Sequence, residues 1–214
     1  PCSCGNDLVR SGLMDMLLFG DCFSMFPLLP DGYVQAVITD MPYDLGTEEK
    51  ELLVKECLRV STGHVLIFCA PENQIQAPRY LFWIKPTSTK NFSKSHGRFV
   101  EMIAWFPRGA FNQLHWSNMT GVYHDILEEK SIHPHQKPLS LMERLVRIHT
   151  NVGDTILDPF AGSGTTCLAA KRLGRKYLAY ENNPEHFLTA KSRVAETLVQ
   201  NVPPKPEPEL PKNA

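Results

Sequence analysis

The chain has 214 residues, of which 43% are hydrophobic and 21% charged, and a formal net charge of −1. That length builds one domain with a proper core and leaves too little for two ordinary domains and a linker, so a single active site is expected. The charge excludes the overall basic balance of many nucleic-acid binders, so any contact with nucleic acid has to come from a local patch.

No apolar run approaches the length needed to span a bilayer, and the first residues lack the basic start, apolar stretch and cleavage site of a secretory signal. The expectation is an intracellular protein with no membrane role. Six cysteines (Cys2, Cys4, Cys22, Cys57, Cys69, Cys167) lack the repeated paired spacing of a zinc site and read as reduced thiols. Cys2 and Cys4 with His133 and His135 are a conceivable ligand group, but no metal is expected.

Short apolar runs alternate with helical patterns along the chain. A strand is predicted at Val34–Thr39, a helix at Glu48–Val60 and a strand at His64–Cys69. Later come a helix at Pro138–His149, a strand at Thr155–Leu157, a helix at Thr165–Leu173, a strand at Tyr177–Tyr180 and a helix at Pro184–Val199. The apolar runs are too short for helices and too continuous for half-exposed strands. They fit central strands of a mostly parallel sheet covered on both faces, so the fold class is α/β, a Rossmann-like doubly wound sheet. Between about Ile84 and Ile132 the rhythm fails, leaving one strand candidate at Phe99–Phe106. Residues 1–200 are therefore read as one domain with an insert at about 84–132. Residues 201–214, rich in Pro, Lys and Glu, are read as a disordered tail.

Two constellations stand out. Val37-Ile-Thr-Asp40-Met41-Pro42-Tyr43 sets an acid, a proline turn and an aromatic ring just past the end of a buried strand, where open α/β sheets bind ligands. Asp158-Pro-Phe160-Ala161-Gly162-Ser163-Gly164-Thr165 follows a strand and opens a helix. Its glycines permit a tight turn and close approach of a ligand, and the helix N-terminus offers N–H groups to an anion. The Gly-Lys-Ser/Thr ending of a P-loop is missing, which disfavours nucleoside triphosphates. The next strand ends in Glu181, about twenty residues beyond the turn, where an acid accepts from ribose hydroxyls; this matches an adenosine-bearing cofactor.

With both segments in this order the chain resembles the β-class DNA amino-methyltransferases, in which an Asp-Pro-Pro-Tyr motif precedes the glycine motif, a circularly permuted arrangement. The likeness covers about Leu18 to Glu185 and includes Gly20-Asp21-Cys22 and His133-Pro-His-Gln136-Lys137-Pro138. It implies the S-adenosylmethionine-dependent methyltransferase fold and transfer of a methyl group to an exocyclic amine in DNA. Asp21 and Cys22 would meet the cofactor adenine and Glu181, with Asn182, the ribose. Gln136, Lys137 and the glycine turn would meet the methionine end. Asp40 through Tyr43 would hold a flipped-out base, Asp40 and the Met41 carbonyl accepting from its NH₂ group and Tyr43 stacking on it. The sequence departs from the family at Met41, where proline is usual, but that position contributes mainly a carbonyl. Asp40 resembles the adenine-N6 version, whereas cytosine-N4 enzymes commonly carry Ser there. A cytosine-N4 enzyme, an RNA amine methyltransferase and a non-catalytic partner subunit remain the alternatives.

In the insert, Lys85, Lys90, Lys94, Arg98, Arg108 and Trp116 interleave with other aromatic residues, a mixture suited to phosphates and bases, and are the candidate DNA contacts. The insert is short for target recognition, so either the recognition sequence is short and loosely read, or a homodimer or partner subunit helps to grip DNA.

Overall fold

A computed structural model describes residues 15–85, 100–109, 121–126 and 136–196. Lys90, Lys94, Arg98, Trp116, the Cys2/Cys4 and His133/His135 candidates and the 201–214 tail lie outside the described residues.

The described chain builds one sheet of eight strands. In chain order the elements are β1 (Met16–Phe19), α1 (Cys22–Met25), β2 (Ala36–Asp40), α2 (Thr47–Val60), β3 (Val65–Cys69), β4 (Arg79–Ile84), β5 (Val100–Phe106), β6 (Val122–Tyr123), α3 (Leu139–His149), β7 (Thr155–Asp158), α4 (Thr165–Arg172), β8 (Lys176–Glu181) and α5 (Pro184–Glu196). The spatial order is β1-β8-β7-β2-β3-β5-β4-β6. β1, β8, β7, β2 and β3 run parallel, and β5 runs antiparallel to both its neighbours, β3 and β4.

The continuous apolar run of β3 is buried at every position because helices cover both faces of the sheet. Alternate side chains serve the two sides. Ile38, Leu66 and Phe68 belong to the core shared with Leu141, Leu145 and Ile148 of α3 and Leu168 of α4. Val37, Val65 and Ile67 belong to the core shared with Leu53, Cys57 and Val60 of α2. Each such fully buried aliphatic side chain contributes roughly 1.5–3 kcal/mol.

The predicted elements are present, their ends shifted by at most two residues where these are described; Phe99 and residues 197–199 lie outside the described residues. Three strands are additional: β1, a short edge strand; β4, which pairs with β5 once that strand folds back beside it; and β6, two residues at the other edge beside β4. In β4 the run Tyr80-Leu-Phe-Trp-Ile84 looks uniformly apolar, yet Leu81 and Trp83 are buried and Phe82 between them is exposed.

The parallel strands all end at one edge of the sheet, and β7 and β2 lie side by side although their neighbours wind away in opposite directions. This is the topological switch point, where an open α/β sheet leaves a crevice.

Candidate active site

A cavity of about 680 Å³ opens at that crevice. It lies within the size range of cofactor and small-molecule sites. The loops after β1, β2, β7 and β8 line it, so both constellations, some 120 residues apart in sequence, face one space.

Asp40 to Tyr43 form one wall. Met41 is buried, and its N–H donates to Phe68 O at 3.3 Å, extending the β2–β3 ladder by one bond. The Tyr43 ring sits at the rim, 37% exposed, and its hydroxyl donates to Glu101 Oε1 at 3.3 Å. Burial pushes the Tyr43 phenol well above its usual range, so it stays a neutral donor.

The glycine turn forms the opposite wall. Gly162 and Gly164 both have positive φ, +52° and +77°. A Cβ at Gly164 would lie 3.0 Å from that of Ala190 on α5, whereas one at Gly162 would meet nothing and point into open space. Gly164 is thus the packing glycine and Gly162 the one that leaves room. Asp158, Phe160, Ala161, Ser163 and Thr165 line the cavity with Gly162; Gly164 does not, because it is turned toward α5. Asp158 is fully buried under the turn and accepts from Thr39 Oγ1 at 2.6 Å and from the Phe160 N–H at 3.2 Å. Burial raises its carboxyl to about 6, more than these hydrogen bonds lower it.

Glu181 is 7% exposed and far from a solvated strand end. Its Oε2 accepts from the Gly162 N–H at 2.7 Å and its Oε1 from the Asn183 N–H at 2.8 Å. A carboxylate has about four acceptor sites, so two remain for a ligand's hydroxyls. Asn182 and His186 lie beside it on the cavity wall. Asp21 caps α1, accepting from the N–H groups of Phe23 and Ser24, and faces the same end of the cavity with Cys22. Burial pushes the Cys22 thiol up to about 12, so it is neutral and unreactive. Phe23, which carries no mark in the sequence, sets its ring 6.4 Å from that of Phe160 across this end.

Three residues named from the sequence have partners that the sequence does not show. Lys137, expected at the methionine end, lines the cavity with its ammonium on Asp40 Oδ2 at 2.6 Å and Glu101 Oε2 at 3.0 Å. Buried as it is, the amine needs anionic partners; burial alone pulls its pKa down, and the two carboxylates more than reverse this. Lys85, expected to meet phosphate, is ion-paired to Glu101 and lies over the Trp83 ring. Arg108 donates to the carbonyls of Leu58 and Ser61 at 2.6 and 2.8 Å. Because β5 runs antiparallel, Arg108 beyond its end falls at the sheet edge opposite the cavity. Gln136 is buried on the cavity wall. Among the described residues no group of three or more potential metal ligands is found, and no helix is long and apolar enough to cross a membrane.

Residues 64–192 match a family model described as DNA methylase, N6_N4_Mtase. The chain is similar to the type II methyltransferase M2.LlaDCHI of Lactococcus lactis subsp. cremoris, 34% identical over 130 residues that make up 52% of this chain and 48% of the relative. The chain therefore spans about half the length of that relative. Among solved structures it is similar to M1.HpyAVI in complex with SAM, with TM-score 0.66 and 29% identity over 84% of this chain and all of that one. It shares its fold with the cytosine-N4-specific PvuII DNA methyltransferase, with TM-score 0.66 and 17% identity over 90% of this chain and 92% of that one.

Proposed function

The chain belongs to the DNA methylase family, and from that premise we propose that it transfers a methyl group from S-adenosylmethionine to the exocyclic N6 amine of adenine in DNA. The observation that carries this reading is the meeting of Asp40-Met-Pro-Tyr43 and the glycine turn on opposite walls of one cavity.

The cavity's chemistry fits the cofactor. Glu181, fixed by two backbone N–H groups, suits ribose hydroxyls; the end bearing Phe23, Phe160 and Asp21 suits an adenine ring; the α4 N-terminus suits a carboxylate. When bound there, S-adenosylmethionine supplies a methyl group on a positively charged sulfur. The residues of this chain do the rest. An aromatic amine is a poor nucleophile because its lone pair is delocalised into the ring. Asp40 and the Met41 carbonyl accept from its two hydrogens, draw the nitrogen toward tetrahedral geometry and stabilise the positive charge that develops on it. S-adenosylmethionine, once bound, would give up the methyl group and leave as its neutral thioether, and Asp40 would receive the proton that the amine loses. Tyr43, exposed at the rim, stacks on a base flipped out of the duplex and partly offsets the cost of unstacking.

The test is methyl transfer from labelled S-adenosylmethionine to unmethylated DNA, followed by nucleoside mass spectrometry, with Asp40→Ala run alongside. N6-methyladenine that drops by about 10²–10³-fold in the variant is expected. N4-methylcytosine would overturn the base assignment alone. Cofactor binding without transfer to any DNA would replace the reading with an RNA substrate or a non-catalytic partner subunit.

A further inference from the structure

Glu101 belongs to neither motif, yet its carboxylate meets three side chains beside the catalytic wall, those of Tyr43, Lys85 and Lys137. It is 6% exposed at the start of β5. Because β5 is antiparallel, its first residues reach the sheet edge at which β2 ends. The register makes this concrete: Asp40 pairs with Phe68 on one side of β3, and Ile103 pairs with Phe68 on the other. Glu101 therefore stands two strands from Asp40, their backbones roughly 10 Å apart across the sheet while their carboxylates reach toward one another. Lys137 closes the gap from above. Its ammonium lies 5.2 Å over the Phe68 ring on the middle strand, 2.6 Å from Asp40 Oδ2 and 3.0 Å from Glu101 Oε2. The other Glu101 oxygen takes the Tyr43 hydroxyl at 3.3 Å and the Lys85 ammonium.

We propose, on the methyl-transfer reading above, that Glu101 is a positioning residue for the reaction, holding Lys137 between two carboxylates and Tyr43 by its hydroxyl so that Asp40 presents an effective acceptor to the target amine. A buried ion pair adds little net stability, since desolvation cancels most of the attraction, but it does fix geometry. Sharing the ammonium also matters. With Glu101 neutral, Lys137 has Asp40 as its one anionic partner, binds it more tightly, and weakens it as an acceptor for the amine. The Tyr43 ring loses its charged anchor at the same time. Lys85 takes part as counter-ion: two acids and two ammonium groups make the cluster neutral.

The test uses the full chain with Glu101→Gln and Glu101→Asp, measuring S-adenosylmethionine affinity by calorimetry, steady-state methyl transfer to DNA and thermal unfolding. Glu101→Gln is expected to lower kcat on the order of 10²-fold, the effect of a small misplacement of reacting groups, with KM and cofactor affinity near wild type. Glu101→Asp, which keeps the charge, should recover part of that loss. Wild-type kcat in Glu101→Gln overturns the proposal. So does a fall in kcat that tracks lost cofactor affinity and lost thermal stability together. If Glu101→Gln does not fold, Glu101→Asp decides: unchanged kcat overturns the proposal and reduced kcat at unchanged KM supports it. A wild-type chain that binds cofactor and transfers nothing overturns the methyl-transfer reading itself, before any variant is compared.

Discussion

Met41 keeps a backbone N–H that the proline usual in the resembling family lacks, and it donates that hydrogen to Phe68 O, so the strand exit is tied down rather than loosened. Its side chain is 1% exposed in the core beneath α2. The position thus has two separable duties, a carbonyl for the site and a side chain for packing. Met41→Ala retains the first and loses the second. It is expected to destabilise the chain by about 2–4 kcal/mol in urea unfolding, while methyl transfer well below its melting temperature stays close to wild type. Lost transfer in a folded Met41→Ala protein would show that the side chain, and not the carbonyl, serves the reaction. That Asp40 and Tyr43 stand at a ligand-sized cavity was legible from residue type and position in the chain. Glu101 was not, because a lone Glu in a strand carries no mark until the strand's direction is known.

At the scale of elements, the strand–turn–helix from β7 to α4 shows how one glycine-rich string divides its work. Gly164 heads α4 in the left-handed region against Ala190, and Gly162 faces the cavity. Gly164→Ala should cost about 2–4 kcal/mol of stability, from the strained φ and the collision with α5 together. Gly162→Ala should cost about 1 kcal/mol for its φ but weaken S-adenosylmethionine binding roughly tenfold, since the added methyl group enters the ligand's space. Calorimetric affinity beside unfolding curves separates the two; equal effects of both variants on affinity would refute the division. The direction of β5 also decides where the charges of the insert go. Lys85 and Glu101 come to the catalytic edge, and Arg108 goes to the far one, although all three belong to one stretch of sequence.

At the scale of the whole molecule, two of the described buried groups, Asp158 and His149, titrate in opposite senses. Asp158 is raised to about 6 by burial, so its contribution to stability is full below about 4 and is lost as pH rises through 6. His149, packed 5.1 Å from His64 and 5.7 Å from Trp105, is lowered to about 4 by burial, so its contribution is full above about 6.5 and is lost as pH falls through 4. Each amounts to about 3 kcal/mol, and the two nearly cancel between pH 4 and 6.5. Removing either unmasks the other. Across that window, stability should rise with pH more steeply in Asp158→Asn than in the wild type, and fall with pH in His149→Leu relative to it. Parallel profiles for all three proteins in denaturant titrations would contradict this account.

Period, turn chemistry and motif order are local properties. They were enough to establish the α/β class, the main helices and strands and the two walls of the cavity, because a buried strand must be continuously apolar and a ligand-binding turn must have its glycines. What a charged side chain in the insert does is not local. Glu101 is an ordinary ion in the sequence and Lys85 and Lys137 carry no sign of their partners there; only a strand running against its neighbours sets the carboxylate two strands from Asp40 with an ammonium over Phe68 between them. The tertiary structure decided that these charges neutralise one another inside the protein, because a buried ion has to find its partner wherever the fold brings one within reach.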